Sequence, residues 1–302
     1  MTAIAITRAV LVTLLALTAP TAGATEPGPN PDGTIAPLIS LAPRDYRSDR
    51  RRYHTQLLRR GPAPGSDTMP GLPNDAQEIQ FRSGTLTLKA WMGQPSAERR
   101  RRRPAVIFLH GGFSFGQDAW DAAQPYRKAG FMLVTPILRG ENGQQGVYSL
   151  FYNEVEDVVA LLNALRRRAD VDRRHIYLAG HSIGGTLALL ASLASHRFKA
   201  TASLSGSPDQ AIFVKYGIDP DQVPFDPSDV LEVQLRSPLA YARSFRTPVL
   251  LIYGTGEPHF RLSSQKLASI ARTVSYAEVE GDHLSAVPAG ISQSIEFFRK
   301  QW

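Results

Sequence analysis

Apolar residues along the chain fall into short runs separated by longer stretches with helical spacing. Ala105–Leu109 (AVIFL), Phe131–Ile137 (FMLVTPI), Ile176–Ala179 (IYLA), Ala200–Leu204 (ATASL), Val249–Tyr253 (VLLIY) and Val274–Val279 (VSYAEV) have the length of strands, and most are apolar throughout. Ile79–Arg82 and Thr85–Met92 instead alternate, and Ser83-Gly84 lies between them, which predicts a hairpin. Helical spacing covers Ala119–Lys128, Asn153–Arg168, Gly184–Ser195, Leu262–Arg272 and Pro288–Lys300. Near-continuous apolar strands alternating with helices belong to a parallel sheet covered on both faces. The expected fold is therefore α/β, with an eight-stranded, mostly parallel sheet whose leading hairpin forms an antiparallel edge.

Three segments depart from this rhythm. Residues 206–247, between the sixth and seventh strands, are longer than a crossover requires and carry Pro208, Pro220, Pro224, Pro227 and Pro238. They predict a short irregular cap over the carboxyl edge of the sheet. Residues 1–24 have the form of a signal peptide: Arg8, then the apolar Ala9–Leu17, then the small residues Ala22-Gly23-Ala24. That run is short for a bilayer span, so the expectation is an exported protein, periplasmic or secreted, without a transmembrane segment. Residues 25–78 read as a basic, Pro/Gly-rich arm crossing the surface of a catalytic domain at 79–302.

Composition narrows the chemistry. The chain has 302 residues, 43% hydrophobic and 20% charged, which suits one large globular domain. It has no cysteine, excluding disulfides, thiolate nucleophiles and cysteine-based metal sites. The formal charge of +7 comes largely from arginines in Arg44–Arg60 and Arg99–Arg103. Those runs suit a solvated surface or contact with an anionic polymer. The 99–103 run lacks the interleaved aromatics that stack bases, so no nucleic-acid partner is expected. No P-loop, dinucleotide fingerprint or H-E-x-x-H pattern occurs, and neither a metal nor a cofactor is called for.

The chemistry-bearing residues fall at strand ends. Ile176–Ala179 runs into Gly180-His181-Ser182-Ile183-Gly184-Gly185 and then a helical pattern, the strand–turn–helix of a G-x-S-x-G nucleophile elbow. The seventh strand is followed by Gly254-Thr255-Gly256-Glu257, and the eighth by Glu280-Gly281-Asp282-His283. Ligands of open α/β sheets bind at the carboxyl ends of strands, so nucleophile, acid and base meet at one edge. A serine hydroxyl needs an adjacent base, here His283, and Glu257 would orient the imidazole. Among rival histidines, His110 is expected to brace its turn and His181 to point away from the nucleophile; His259 is the main competitor. Asp282 is too near His283 in sequence to orient its ring, and Asp157 reads as structural. Oxyanion donors are expected from the backbone of Ile183 and of Gly112, with Phe113 the alternative to Gly112. Phe113, Phe115, Trp120, Tyr148, Phe151, Tyr152, Phe213 and Tyr216 sit where they could either line an apolar pocket or simply pack.

With these residues in place, 79–302 resembles the α/β-hydrolase superfamily, in particular its prolyl oligopeptidase-like and dienelactone hydrolase-like groups. The resemblance is carried by His110-Gly111-Gly112, Arg139-Gly140, Gly180–Gly185, Ser237-Pro238-Leu239 and Pro248–Gly254. It implies serine hydrolysis of esters or peptides. Two departures shape the expectation: Glu257 stands where these groups usually have Asp, and about 78 residues precede the first strand, with no propeller domain among them. The leading expectation is a carboxylesterase acting through an acyl-enzyme on a small-molecule ester. A small peptidase or amidase acting on a short peptide, or a non-catalytic binding protein on the same fold, are the alternatives.

Overall fold

The computed structural model describes residues 28–65, 68–93 and 102–302. The proposed signal peptide and Arg99–Arg101 lie outside the described residues. The elements in chain order are α1 (Tyr46–Arg52), β1 (Ala76–Ser83), β2 (Leu86–Gly93), β3 (Arg103–Leu109), α2 (Gln117–Lys128), β4 (Met132–Pro136), α3 (Glu154–Leu165), β5 (Val171–His181), α4 (Ile183–Ala194) and β6 (Thr201–Leu204). Two short helices of the cap follow, α5 (Gln210–Ile212) and α6 (Val230–Arg236), and then β7 (Val249–Gly254), α7 (Pro258–Ile270), β8 (Val274–Val279) and α8 (Val287–Arg299).

The strands form one eight-stranded sheet in the order β1-β2-β4-β3-β5-β6-β7-β8. The β1–β2 and β2–β4 pairs are antiparallel and the others parallel, as the hairpin and the apolar runs predict. Alternate residues of the central strands feed two cores. Ala105, Ile107 and Leu109 of β3 join Ile176 and Leu178 of β5 in a core with α3, α4 and the cap. Val106, Phe108, Tyr177 and Ala179 point to the opposite face, which α2 and α8 cover. Strand order reverses at β3, with β4 on one side and β5 on the other. The crevice for a ligand therefore opens beyond the ends of β3 and β5.

The cap is irregular, as expected: α5 continues into a π-turn at Phe213–Gly217, and a 3-10 segment spans Pro238–Ser244. The arm lies against it through buried anchors. Tyr46 on α1 is fully buried and packs edge-on against Tyr241, ring centroids 5.0 Å apart. Leu38 and Ile39 donate backbone bonds to the Asp209 carboxylate, and Leu57 bridges Phe225. Arg236, fully buried, ties the arm, the cap and the loop before α3 together by donating to Glu232, Thr55 Oγ1 and the Ser149 carbonyl.

Candidate active site

Ser182 is the hinge between β5 and α4. Its backbone adopts φ 55°, ψ −118°, a region that costs a non-glycine residue energy. The turn is held by Ser182 N–H donating to the Leu204 carbonyl (2.8 Å) and by the Ser182 carbonyl accepting from Thr186 N–H (3.1 Å). Glycine is required where elements cross: a Cβ on Gly180 would strike the Gly184 carbonyl, and one on Gly184 would strike the carbonyls of Leu109 and His110.

The loops after β7 and β8 bring Glu257 and His283 to Ser182. His283 Nε2 lies 2.9 Å from Ser182 Oγ, and its Nδ1 lies 2.5 Å from Glu257 Oε1. Glu257 is only 2% exposed, yet its carboxyl is held below the usual range. Burial alone would raise it; donation from His283, from Ser205 Oγ (2.5 Å) and from Gly254 N–H (2.8 Å) outweighs that cost.

The oxyanion side is formed by the loop after β3 and the start of α4. Gly112 has φ 71°, with open space where a Cβ would stand. Phe113 and Ile183 line one small cavity together. As the first residue of α4, Ile183 has an N–H with no intrahelical acceptor.

The other residues singled out from sequence fall into place. His110 braces its turn: Nδ1 lies 3.0 Å from the Gly111 carbonyl and Nε2 2.9 Å from Glu141 Oε2. Both ring nitrogens face acceptors, which suits the imidazolium. Burial disfavours that charge, but Glu141 overrides it and the pKa is raised. His181 departs from expectation. Instead of pointing away, it turns toward the His283 loop, Nε2 donating to the His283 carbonyl at 2.8 Å, with the two rings 4.8 Å apart. Asp282 bonds Leu284 and Ser285 in its own turn. Asp157 is buried and takes the Arg139 guanidinium and Ser83 Oγ. His259 lies against Phe260, the rings tilted by 50°, with its pKa lowered by burial.

The aromatics divide. Phe113, Tyr148 and Phe151 line the cavity beside Ile183. Phe115, on the loop before α2, and Trp120, on α2, pack with Trp91 in the opposite core. Arg50 is spent internally, its guanidinium 4.2 Å from the Tyr152 ring centre. Sequence reasoning passed over Ser205 and Glu141. Ser205 follows β6 directly, a strand-end position on the same edge, and that placement was the available signal. Glu141 carried none, because its partner His110 is distant in sequence. Among the described residues no cluster of His, Cys, Asp and Glu has the makings of a metal site, and no helix is long and apolar enough to cross a membrane.

Comparison with known proteins follows the same architecture. A model of the alpha/beta hydrolase family matches residues 106–290. YitV of Bacillus subtilis, whose name provisionally assigns it to the esterases, is 31% identical over 152 residues, covering 47% of this chain and 60% of that one. The Pyrococcus horikoshii acylaminoacyl peptidase superposes with a TM-score of 0.62 at 22% identity, over 75% of this chain and 41% of that one. A Mycobacterium tuberculosis puromycin-hydrolyzing peptidase does so with a TM-score of 0.65 at 21% identity, over 75% of this chain and 40% of that one. The matches thus span less than two thirds of each of these proteins, 60% of YitV and 41% and 40% of the two peptidases.

Proposed function

This chain belongs to the alpha/beta hydrolase family, and from that premise we propose that it is an exported serine hydrolase cleaving carboxylic esters through an acyl-enzyme on Ser182. The observation that carries the reading is the hydrogen-bonded line from Ser182 Oγ through His283 to a buried, ionised Glu257. His283 Nε2 accepts the Ser182 proton as Oγ attacks the ester carbonyl. Glu257 holds Nδ1–H, fixes the tautomer and stabilises the imidazolium that forms. The tetrahedral oxyanion is received by the N–H of Ile183 and by that of Gly112 or Phe113; one such donor is worth about 3–4 kcal/mol in the barrier. His283 then protonates the departing alkoxide and the alcohol leaves. Water, deprotonated by the same imidazole, releases the acid and restores Ser182. Ester and water become acid and alcohol, and no further reagent is needed.

The name of YitV supports the ester reading, and the names of two further Bacillus subtilis relatives, the peptidases YtmA and YuxL, support the peptidase alternative; the solved peptidase structures, all below 25% identity, speak to the fold alone. A fluorophosphonate probe should label Ser182, and Ser182→Ala should lower turnover by roughly 10⁴–10⁶-fold. A panel of p-nitrophenyl esters beside aminoacyl p-nitroanilides decides the bond: faster anilide cleavage would replace the ester reading with an amidase one. Folded protein that the probe leaves unlabelled would favour a binding role. Export rests on the leader at residues 1–24 and predicts a secreted or periplasmic form beginning at Thr25, which N-terminal sequencing checks.

A further inference from the structure

Two adjacent residues on the turn after β4 hold the loop after β3 at both of its ends. At the start, Glu141 Oε2 meets His110 Nε2 at 2.9 Å, and the same oxygen accepts from Leu138 N–H at 3.0 Å. At the end, the Asn142 amide grips Ser114 and Phe115. Its Oδ1 accepts from Phe115 N–H (2.8 Å), and its Nδ2 donates to the Phe115 carbonyl (3.0 Å) and to Ser114 Oγ (3.2 Å). Nδ2 also donates to the Thr68 carbonyl of the arm, 2.9 Å away. Asn142 is 3% exposed, so bulk water does not compete for these bonds.

Asparagine suits this position twice over. Residue 142 has φ 47°, in the left-handed region that asparagine enters more readily than most residues with a side chain. Its amide also carries an acceptor and a donor on one planar group, which is what the N–H and C=O of a single residue, Phe115, require.

The stretch between the two clamps faces the nucleophile. A Cβ on Gly111 would come within 3.0 Å of the His181 ring and 3.4 Å of Ser182 Cβ. Gly112 and Phe113, the candidates for the second oxyanion donor, follow directly. The arm lies close against the same loop: a Cβ on Gly65 would stand 2.8 Å from Ser114 Cβ and 2.9 Å from the Phe113 carbonyl oxygen. An oxyanion donor is effective where it is fixed in place before the charge develops.

We propose that Asn142 is a positioning residue for the reaction: by tying Ser114 and Phe115 to the turn after β4 and to the arm, it fixes where the oxyanion-binding N–H groups stand relative to Ser182. The inference rests on the serine-hydrolase reading of Ser182 and adds a residue outside the triad and the donors themselves. Through Thr68 it also makes the arm part of the support of the active site.

The test is Asn142→Gly in the full chain, which removes the amide and leaves a residue at ease at positive φ. Turnover is expressed per active site, counted by exhaustive labelling with the fluorophosphonate probe, so loss of folded protein does not enter it. On p-nitrophenyl butyrate, kcat per site should fall about 10- to 100-fold, the effect of a displaced donor. KM should stay within about 3-fold, because the interaction is made in the transition state. An alkyl trifluoromethyl ketone, whose adduct with Ser182 carries an oxyanion at the same donors, should lose affinity by the same factor. Asn142→Asp keeps the shape and the acceptor for Phe115 N–H but turns an oxygen toward the Phe115 and Thr68 carbonyls. It is read in the same way and covers the case in which Asn142→Gly does not fold. A per-site kcat within about 2-fold of wild type, or a fall in kcat with the ketone's affinity unchanged, would overturn the assignment. Absence of folded protein from both variants would overturn it too, by assigning Asn142 to the fold. Wild-type protein left unlabelled at Ser182, or turnover that survives Ser182→Ala, would instead refute the serine-hydrolase reading, so the two failures are distinct.

Discussion

His181 makes folding stability depend on pH in a way that can be worked from its surroundings. The side chain is 8% exposed, lies against the His283 ring and gives its one proton to the His283 carbonyl. Burial, aided by the neighbouring imidazole and opposed by that carbonyl and by Glu257, lowers its pKa from 6.5 to about 4. The unfolded chain therefore binds more protons than the folded one between those values, and stability must rise with pH across that window. At pH 8 both states are neutral and the group contributes no pH dependence. At pH 5 the unfolded imidazole is almost wholly protonated and the folded one almost wholly neutral, which removes about 2 kcal/mol of stability relative to pH 8. His181→Asn keeps a donor for the carbonyl and does not titrate. Its packing loss is the same at both pH values and cancels in the comparison, as do the other titrating groups. Urea unfolding of both proteins at pH 8 and pH 5 should show the wild type losing about 2 kcal/mol more than the variant. Parallel losses would refute the argument, and with it the claim that a neutral His181 couples the elbow to the His283 loop.

Three further outcomes follow from the same geometry. Ser205→Ala removes a charge-assisted bond to Glu257 and should cost about 1.5–3 kcal/mol near pH 7 in chemical denaturation. Because the folded Glu257 pKa is depressed, that penalty belongs to the region above the unfolded carboxyl pKa near 4 and should shrink as pH falls through the folded value. Gly184→Ala places a methyl against the carbonyls of Leu109 and His110 and should cost about 3 kcal/mol or more, read as loss of soluble folded protein or a large fall in melting temperature. Arg236→Met leaves Glu232 buried without its cation and should cost about 3–5 kcal/mol, while Arg236→Met with Glu232→Leu should recover much of it; urea titrations of the three proteins decide.

Strand and helix identity were legible because burial imposes period. The apolar runs at 105–109, 176–179 and 249–253 are buried on both faces, so no other element suits them. The edge hairpin shows the half-buried alternation of Phe81 and Ser83 against exposed neighbours. Boundaries were less legible. Helix α7 begins at Pro258 and not at Leu262, since proline is well placed in a first turn where its missing N–H has no acceptor to lose. The order of Ser182, Glu257 and His283, each just past a strand, was likewise readable, because parallel strands deliver all their carboxyl ends to one edge.

Side-chain direction was not readable from local sequence. Nothing near His181 says that it turns toward the His283 loop, because its acceptor lies 102 residues away. Phe115 and Tyr148 look alike as loop aromatics, yet one joins the core under α2 and the other borders the cavity beside Ile183. The arginines of α1 are indistinguishable as a run, yet Arg50 is half-buried against two tyrosines while Arg47 and Arg51 stay exposed. Local pattern determines which elements form and in what order, because period and turn chemistry act over a few residues. Long-range packing decides which carboxylate meets which imidazole and which loop aromatic enters a core, because those energies depend on what lies opposite in space.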